Sequence, residues 1–257
     1  MNDDFYIGWE GKAPPAFRRT RRGTVAALLV LAVALATLFA VAQRTIGVSV
    51  FEWGTVKSFT GVLRSQPYPH LLVPRPGAAG GEVAFSTYHL VRPFKFGLEP
   101  EISRRFDGRA VSLKGTLIYR DNQTMIEVPG DSIRDAPEAS KPAETTSRPA
   151  SSLGRQTLVG EIVDSKCYLG VMNPGQLTPH RACAIRCISG GIPPVLLVRQ
   201  TNGPALYFLL VAPDGRPVNQ QVLPLVAEPV QITGEVERQG ELLILRSDPA
   251  TYRRVHR

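Results

Sequence analysis

Residues 23–42, GTVAALLVLAVALATLFAVA, run for twenty positions without a charged side chain. About twenty helical residues cross the hydrocarbon core of a bilayer, where a helix satisfies its own backbone polar groups. RRTRR lies directly before the run, and a dense basic flank holds that end on the cytoplasmic side. The expectation is a cytoplasmic segment over 1–22, one transmembrane anchor over 23–43, and everything later on the far side. AVA at 40–42 has the A-x-A form of a cleavage site, but the run exceeds the roughly 7–15 residues of a signal h-region. A retained anchor is therefore expected. The paired arginines do not sit in a well-formed twin-arginine signal. DFYIGWEGKAPPAF precedes the anchor. It reads either as an interfacial strip carrying Phe5, Tyr6 and Trp9 or as a docking peptide for a neighbouring membrane subunit.

Beyond the anchor, short apolar or alternating runs alternate with Gly and Pro: WGTVKSFTGVLR, HLLVPR, VAFSTYHLV, AVSLKGTLIYR and QTMIEV. Such runs, bounded by turn residues, predict strands. Residues 130–154 lose nearly all large apolar side chains to Pro, Ser, Ala and charge, which predicts a linker. Strand-like runs resume at 155 and end near 248, and 249–257 read as a loose basic tail. This places a first β domain at 51–129 and a second at 155–248.

The two halves resemble each other. FTGVL at 59–63 matches LVGEI at 158–162, and VSLKGTL at 111–117 matches VQITGEV at 230–236, glycine on glycine. The expected class is mainly β: two tandem small OB-like barrels, since strand glycines mark barrel bends. Gly61 to Leu72 is 11 positions and Gly160 to Leu197 is 37, so the second unit holds 26 additional residues between its first two strands. That insertion contains Cys167, His180, Cys183 and Cys187, including all three cysteines of the chain.

TPHRACAIRCISGG at 178–191 predicts a helix with Thr178 as N-cap, Pro179 at its first position, and Gly190-Gly191 at its end. On such a helix His180, Cys183 and Cys187 fall within a stripe of about 60°. Cys167 follows a predicted strand and can fold back onto that stripe. Three thiolates and an imidazole make a Cys₃His set, with zinc the default ion. Copper(I) is the runner-up, with Met172 as a soft additional donor. The spacing C-x₁₅-C-x₃-C lacks the C-x₂-C knuckle of the strongest zinc signatures. In an oxidising compartment Cys167 can instead pair with Cys183 or Cys187, leaving one thiol, and thiol redox chemistry is a third reading.

Other candidates are bland. His70 and His89 lie in apolar strand contexts and read as structural, and His256 lies in the tail. Asp164-Ser165 with His180 forms no recognisable triad sequence. Arg104, Arg105, Arg109 and Lys95 read as a solvated face. The net charge of +8 is dispersed, with no basic block interleaved with aromatics, so no nucleic-acid partner is expected. No motif identifies a small-molecule substrate.

The stretch GEIVDSKCYLG…HRACAIRCISGGIPPVLLV, closing on V-x-I-T-G-x-V, resembles a recurring module of bacterial secreted and membrane-anchored proteins. That OB-fold-like family carries D-S-x-C…H-x-x-C-x-x-x-C-x-x-x-G and has no settled activity. The resemblance covers residues 157–246. It implies a barrel and groups Cys167, His180, Cys183 and Cys187, without supplying a reaction. The resulting expectation is a single-pass protein of a bacterial inner membrane with its N-terminus cytoplasmic and its barrels periplasmic. It would serve as a non-enzymatic accessory or assembly subunit of a membrane complex, with a structural metal site. A metallochaperone or thiol redox protein, and a disulfide-stapled binding module, are the alternatives.

Overall fold

The computed structural model describes residues 14–43, 48–75, 85–137, 150–201 and 203–255. The chain divides into two compact units, Met1–Gly47 and Val48–Arg257. Phe5, Tyr6, Trp9 and His256 lie outside the described residues.

The first unit contains helix α1 (Pro15–Gln43). Pro15 suits the first helical position, where its missing N–H is not needed. Phe17–Ala42 has a most apolar stretch of mean hydropathy 2.8. At about 1.5 Å per residue these 26 residues reach about 39 Å, enough for a ~30 Å hydrocarbon core. Thr37 Oγ1 donates to Val33 O at 2.8 Å, so this hydroxyl is satisfied within the helix.

The second unit is built of strands β1 (Ser49–Phe51), β2 (Lys57–Arg64), β3 (His70–Pro74), β4 (Phe85–Val91), β5 (Ala110–Arg120), β6 (Gln123–Glu127), β7 (Arg134–Asp135), β8 (Ser151–Asp164), β9 (Pro194–Val198), β10 (Leu206–Val211), β11 (Pro229–Gln239), β12 (Leu242–Arg246) and β13 (Arg253–Arg254). Short helices α2 (Pro100–Arg105), α3 (Arg181–Ser189) and α4 (Asn219–Val222) lie between them. Strands β5-β2-β3-β4-β6 form one path that closes through β5–β6; β11-β8-β9-β10-β12 form another that closes through β11–β12. Within each, the third and fifth strands are parallel (β4 with β6, β10 with β12) and the other pairs antiparallel. Each is thus a closed five-stranded barrel with OB strand order.

The registers correspond as the glycines predict. The residue after Gly61 pairs with Leu72, and the residue after Gly160 pairs with Leu197. A Cβ on Gly61 would lie 2.4 Å from Leu72 O, and one on Gly160 2.6 Å from Leu197 O. No side chain fits at either position, because the neighbouring strand closes in there.

Leu63, Leu71, Leu90, Val111, Leu113 and Ile126 fill the first barrel, and Ile162, Leu196, Phe208, Leu210, Ile232 and Leu245 fill the second. A third cluster joins them, with Val91, Ile118 and Met125 from the first and Val163, Leu197, Leu209 and Ile244 from the second. Strands β9 and β10 are therefore buried on both faces. That explains their unbroken apolar runs, each large side chain contributing roughly 1.5–3 kcal/mol on burial.

Three boundaries differ from the sequence expectation. Part of 130–154, read as linker, is strand: β7 pairs with β5, and β8 begins at Ser151 opposite Arg238. Residues 138–149 lie outside the described residues. The segment read as a loose tail contributes β13, paired with β11 at Val230 and Gln231, after a turn capped by Asp248 through Ala250 N. β1 likewise starts at Ser49, before the expected 51. These short edge pieces are held by backbone hydrogen bonds, which leave little trace in side-chain composition.

Candidate metal centre

The insertion begins where β8 ends, at Asp164. This carboxylate is fully buried, and a buried charge needs partners. Oδ1 accepts the Cys167 N–H at 2.7 Å, fixing the start of the π-helical turn Cys167–Val171. Oδ2 lies 2.9 Å from His180 Nε2. One side chain thus ties the first turn of the inserted segment to the residue before α3 and sets the orientation of the imidazole.

The segment then enters a 3₁₀ turn, Thr178–His180, before α3 starts at Arg181. Thr178 makes no side-chain cap; Leu177 holds the cap position at φ 68°. The predicted single helix from 178 is corrected accordingly: His180 precedes α3 and is drawn to Asp164, so it does not extend a common α-helical stripe. Cys183 and Cys187, one turn apart within α3, do share a face. Cys167 Sγ lies 3.9 Å from Cys183 Sγ and 3.9 Å from Cys187 Sγ, and all three are free thiols.

Lys95, from the loop after β4, reaches this cluster from the first barrel. Its Nζ donates to Cys183 Sγ at 2.7 Å and lies 3.8 Å from Cys187 Sγ. Two features hold the loop there. Lys166, buried beside Cys167, donates from Nζ to Arg92 O and Phe94 O at 2.8 Å each and pairs with Glu127 at 2.5 Å. At the end of α3, Gly97 N donates to Gly190 O at 2.9 Å. A Cβ on Gly190 would sit 2.0 Å from Lys95 O, so the approach requires glycine there.

The electrostatics follow the hydrogen bonds. The Cys167 thiol titrates far above its usual range, because it is bonded to Cys187 and buried. The Cys187 thiol is shifted down by the same bond. Lys95 is held above the usual ammonium value by Cys183. Both thiol shifts arise at the Cys167–Cys187 contact, and the Lys95 ammonium is set against Cys183.

The potential ligand atoms fall into two overlapping triads that share Cys167. Cys167, His180 and Cys183 lie within 4.8 Å of one another, as do Asp164, Cys167 and Cys187. All four sequence candidates thus lie in the two triads, although neither His180 nor Cys183 belongs to the same triad as Cys187. A tetrahedral zinc with Zn–S of about 2.3 Å has sulfur–sulfur edges of about 3.8 Å, close to the two separations observed. This group can hold a metal ion.

Sequence reasoning missed Asp164 as an orienting group, Lys95 as a member of the cluster, and Lys166 as its anchor. Asp164 and Lys166 stand beside Cys167 in VDSKCYLG, which was the one available signal. Lys95 is solvent-exposed, yet its amine meets sulfur, so the solvated-face reading is corrected for it. Met172 is exposed on the loop. His70 and His89 are buried and face each other at 6.2 Å between ring centroids. Arg109 pairs with Asp135 at 2.6 Å on the surface.

No protein-family model and no curated protein matches the chain. Among solved structures, it is similar to a deletion mutant of the single-stranded DNA binding protein from Thermus aquaticus, at 13% identity and a TM-score of 0.21, over 81% of this chain and 96% of that one. The OB assignment of the two barrels rests on their strand order and closure.

Proposed function

We propose that this chain is a membrane-anchored accessory or assembly protein whose second barrel holds a structural zinc ion on Cys167, His180, Cys183 and Cys187. Copper(I) is the alternative ion for the same donors. The observation that carries the reading is the pair of 3.9 Å sulfur separations around Cys167 beside an imidazole oriented by a buried carboxylate. Metal-bound histidines characteristically donate their second nitrogen to such a carboxylate. Three thiolates on a divalent ion leave one negative charge, and the Lys95 ammonium lies where it balances that charge. The basic run Arg18–Arg22, in the first turns of α1 and directly before its apolar stretch, supports a cytoplasmic N-terminus with periplasmic barrels. Residues 1–17 would then offer the docking segment for a membrane partner.

The test is metal analysis of the full chain, purified in detergent under reducing conditions with zinc supplied. One zinc per chain, lost in Cys183→Ser, is expected. A wild-type protein that binds none would overturn the proposal. One observation favours a second reading as a metallochaperone: Cys183 and Lys95 leave the cluster open to solvent on one side. Release of the ion to a chelator within seconds would favour that reading, and retention for hours the structural one.

A further inference from the structure

We propose that Lys95 and Cys183 form a covalent N–O–S bridge when the protein meets dioxygen, making this pair a modification site that joins the two barrels. The Nζ–Sγ separation is 2.7 Å, shorter than the ordinary range for a nitrogen donor on an oxygen acceptor would suggest for the larger sulfur atom. One oxygen atom bonded to both ends, with a bent angle, fits that gap with almost no movement. A disulfide does not fit as readily, because the two sulfur–sulfur separations at Cys167 are 3.9 Å against a bond of about 2.05 Å. Both partners can meet dissolved oxidant: Lys95 is exposed and Cys183 half-buried. The loop is also held in register from below by Lys166 and at its end by the Gly97–Gly190 contact. Amine and thiol therefore stay together rather than meeting by chance.

The net reaction is Lys–NH₂ plus Cys–SH plus O₂ giving Lys–NH–O–S–Cys plus H₂O. One N–H and the S–H bond break, and N–O and S–O bonds form. Sulfur and nitrogen give up two electrons each. One oxygen atom takes two of these as the bridge, and the other takes two and leaves as water. A dithiol reductant reverses the change: two dithiols supply four electrons and four protons, restoring the amine and thiol and releasing water. The bridge itself stands on the Lys95–Cys183 geometry. Its consequence as a switch rests on the metal reading above, because a bridged Cys183 can no longer be a thiolate ligand and Lys95 no longer carries its charge to the site.

The experiment uses the full chain in detergent, purified without dioxygen and then exposed to isotopically labelled dioxygen. Mass spectrometry of a non-reduced tryptic digest is expected to show the Lys95 and Cys183 peptides joined, with two hydrogens lost and one labelled oxygen gained. Trypsin would no longer cut after Lys95. The species should vanish on treatment with dithiothreitol and be absent from Lys95→Arg and Cys183→Ser. A digest in which Cys183 is found as a disulfide, as a sulfinic acid or as an unmodified thiol, with no link to Lys95, overturns the proposal. Zinc binding measured before and after exposure separates the two readings. Loss of zinc binding on bridging, restored by dithiothreitol, supports the switch. A protein that bridges but binds no zinc before exposure retains the modification site and sinks the metal centre.

Discussion

Lys166→Met removes one ammonium from the interior and leaves three groups behind. Lys166 is among the most deeply buried side chains of the molecule. Its Nζ serves Glu127 at 2.5 Å and the Arg92 and Phe94 carbonyls at 2.8 Å each. Breaking a buried ion pair by deleting one partner costs about 3–5 kcal/mol, since the other charge stays behind. Each stranded carbonyl adds up to about 1–3 kcal/mol, less for Phe94 O because it is only partly buried. Methionine fills most of the vacated volume, so little cavity cost is added. Taking the ion pair alone, about 3–5 kcal/mol, as the lower bound, and about 2–4 °C per kcal/mol for a unit of this size, the melting temperature should fall by at least about 6–20 °C. The assay is thermal unfolding of the full chain in detergent, followed by near-ultraviolet circular dichroism at fixed protein concentration. Adding Glu127→Leu should recover about 1–3 kcal/mol of the loss, because the orphaned carboxylate is then gone. A Lys166→Met protein within about 1 kcal/mol of wild type, or a double variant whose losses simply add, would refute the reasoning.

Asp164→Asn keeps the shape but removes the charge that orients His180 and caps Cys167; zinc affinity, measured by competition with a chromophoric chelator, should fall about 10–100-fold. Gly190→Ala forces a Cβ against Lys95 O and should cost about 1–3 kcal/mol in denaturant unfolding; it should also suppress cross-linking between Lys95 and Cys183, since the loop must move away. His89, buried with neither ring nitrogen hydrogen-bonded among the described residues, has its pKa pushed down from 6.5 to about 3, chiefly by burial and then by the charge of His70. Its neutral form is therefore favoured in the fold, so stability present above pH about 6.5 should be lost as pH falls towards 3. Midpoints of urea unfolding across that window should show a shallower decline in His89→Phe.

The barrels were legible because their signals are local. Gly61 and Gly160 mark a close approach of the next strand wherever that strand comes from, and the matching stretches around them fixed the register and the size of the insertion. The end of α3 was readable for the same reason: Gly190 N bonds back to Arg186 O, inside the helix. Strands β1, β7 and β13 were not readable. Their residues are mostly exposed or half-exposed, and only the partner strand makes them strands.

The cluster divides along the same line. Cys183 and Cys187 share a face because they are four residues apart on a helix, and Cys167 reaches both through a turn closed by Asp164, all within the insertion. Lys95 lies 88 positions from Cys183, in a loop whose composition resembles any exposed turn. It comes to the sulfurs because Lys166 binds two carbonyls just before it, those of Arg92 and Phe94, and because two glycines let the loop touch the end of α3. Lys166 belongs to the second barrel and Glu127, its ion-pair partner, to the first. The residue that docks the loop is therefore the neighbour of a candidate ligand, and anything that shifts Cys167 also shifts Lys166. Metal loading of the proposed site and the placement of Lys95 would thus be mechanically coupled through one peptide bond, which would give the first barrel, with no cysteine of its own, a direct part in the chemistry of the second.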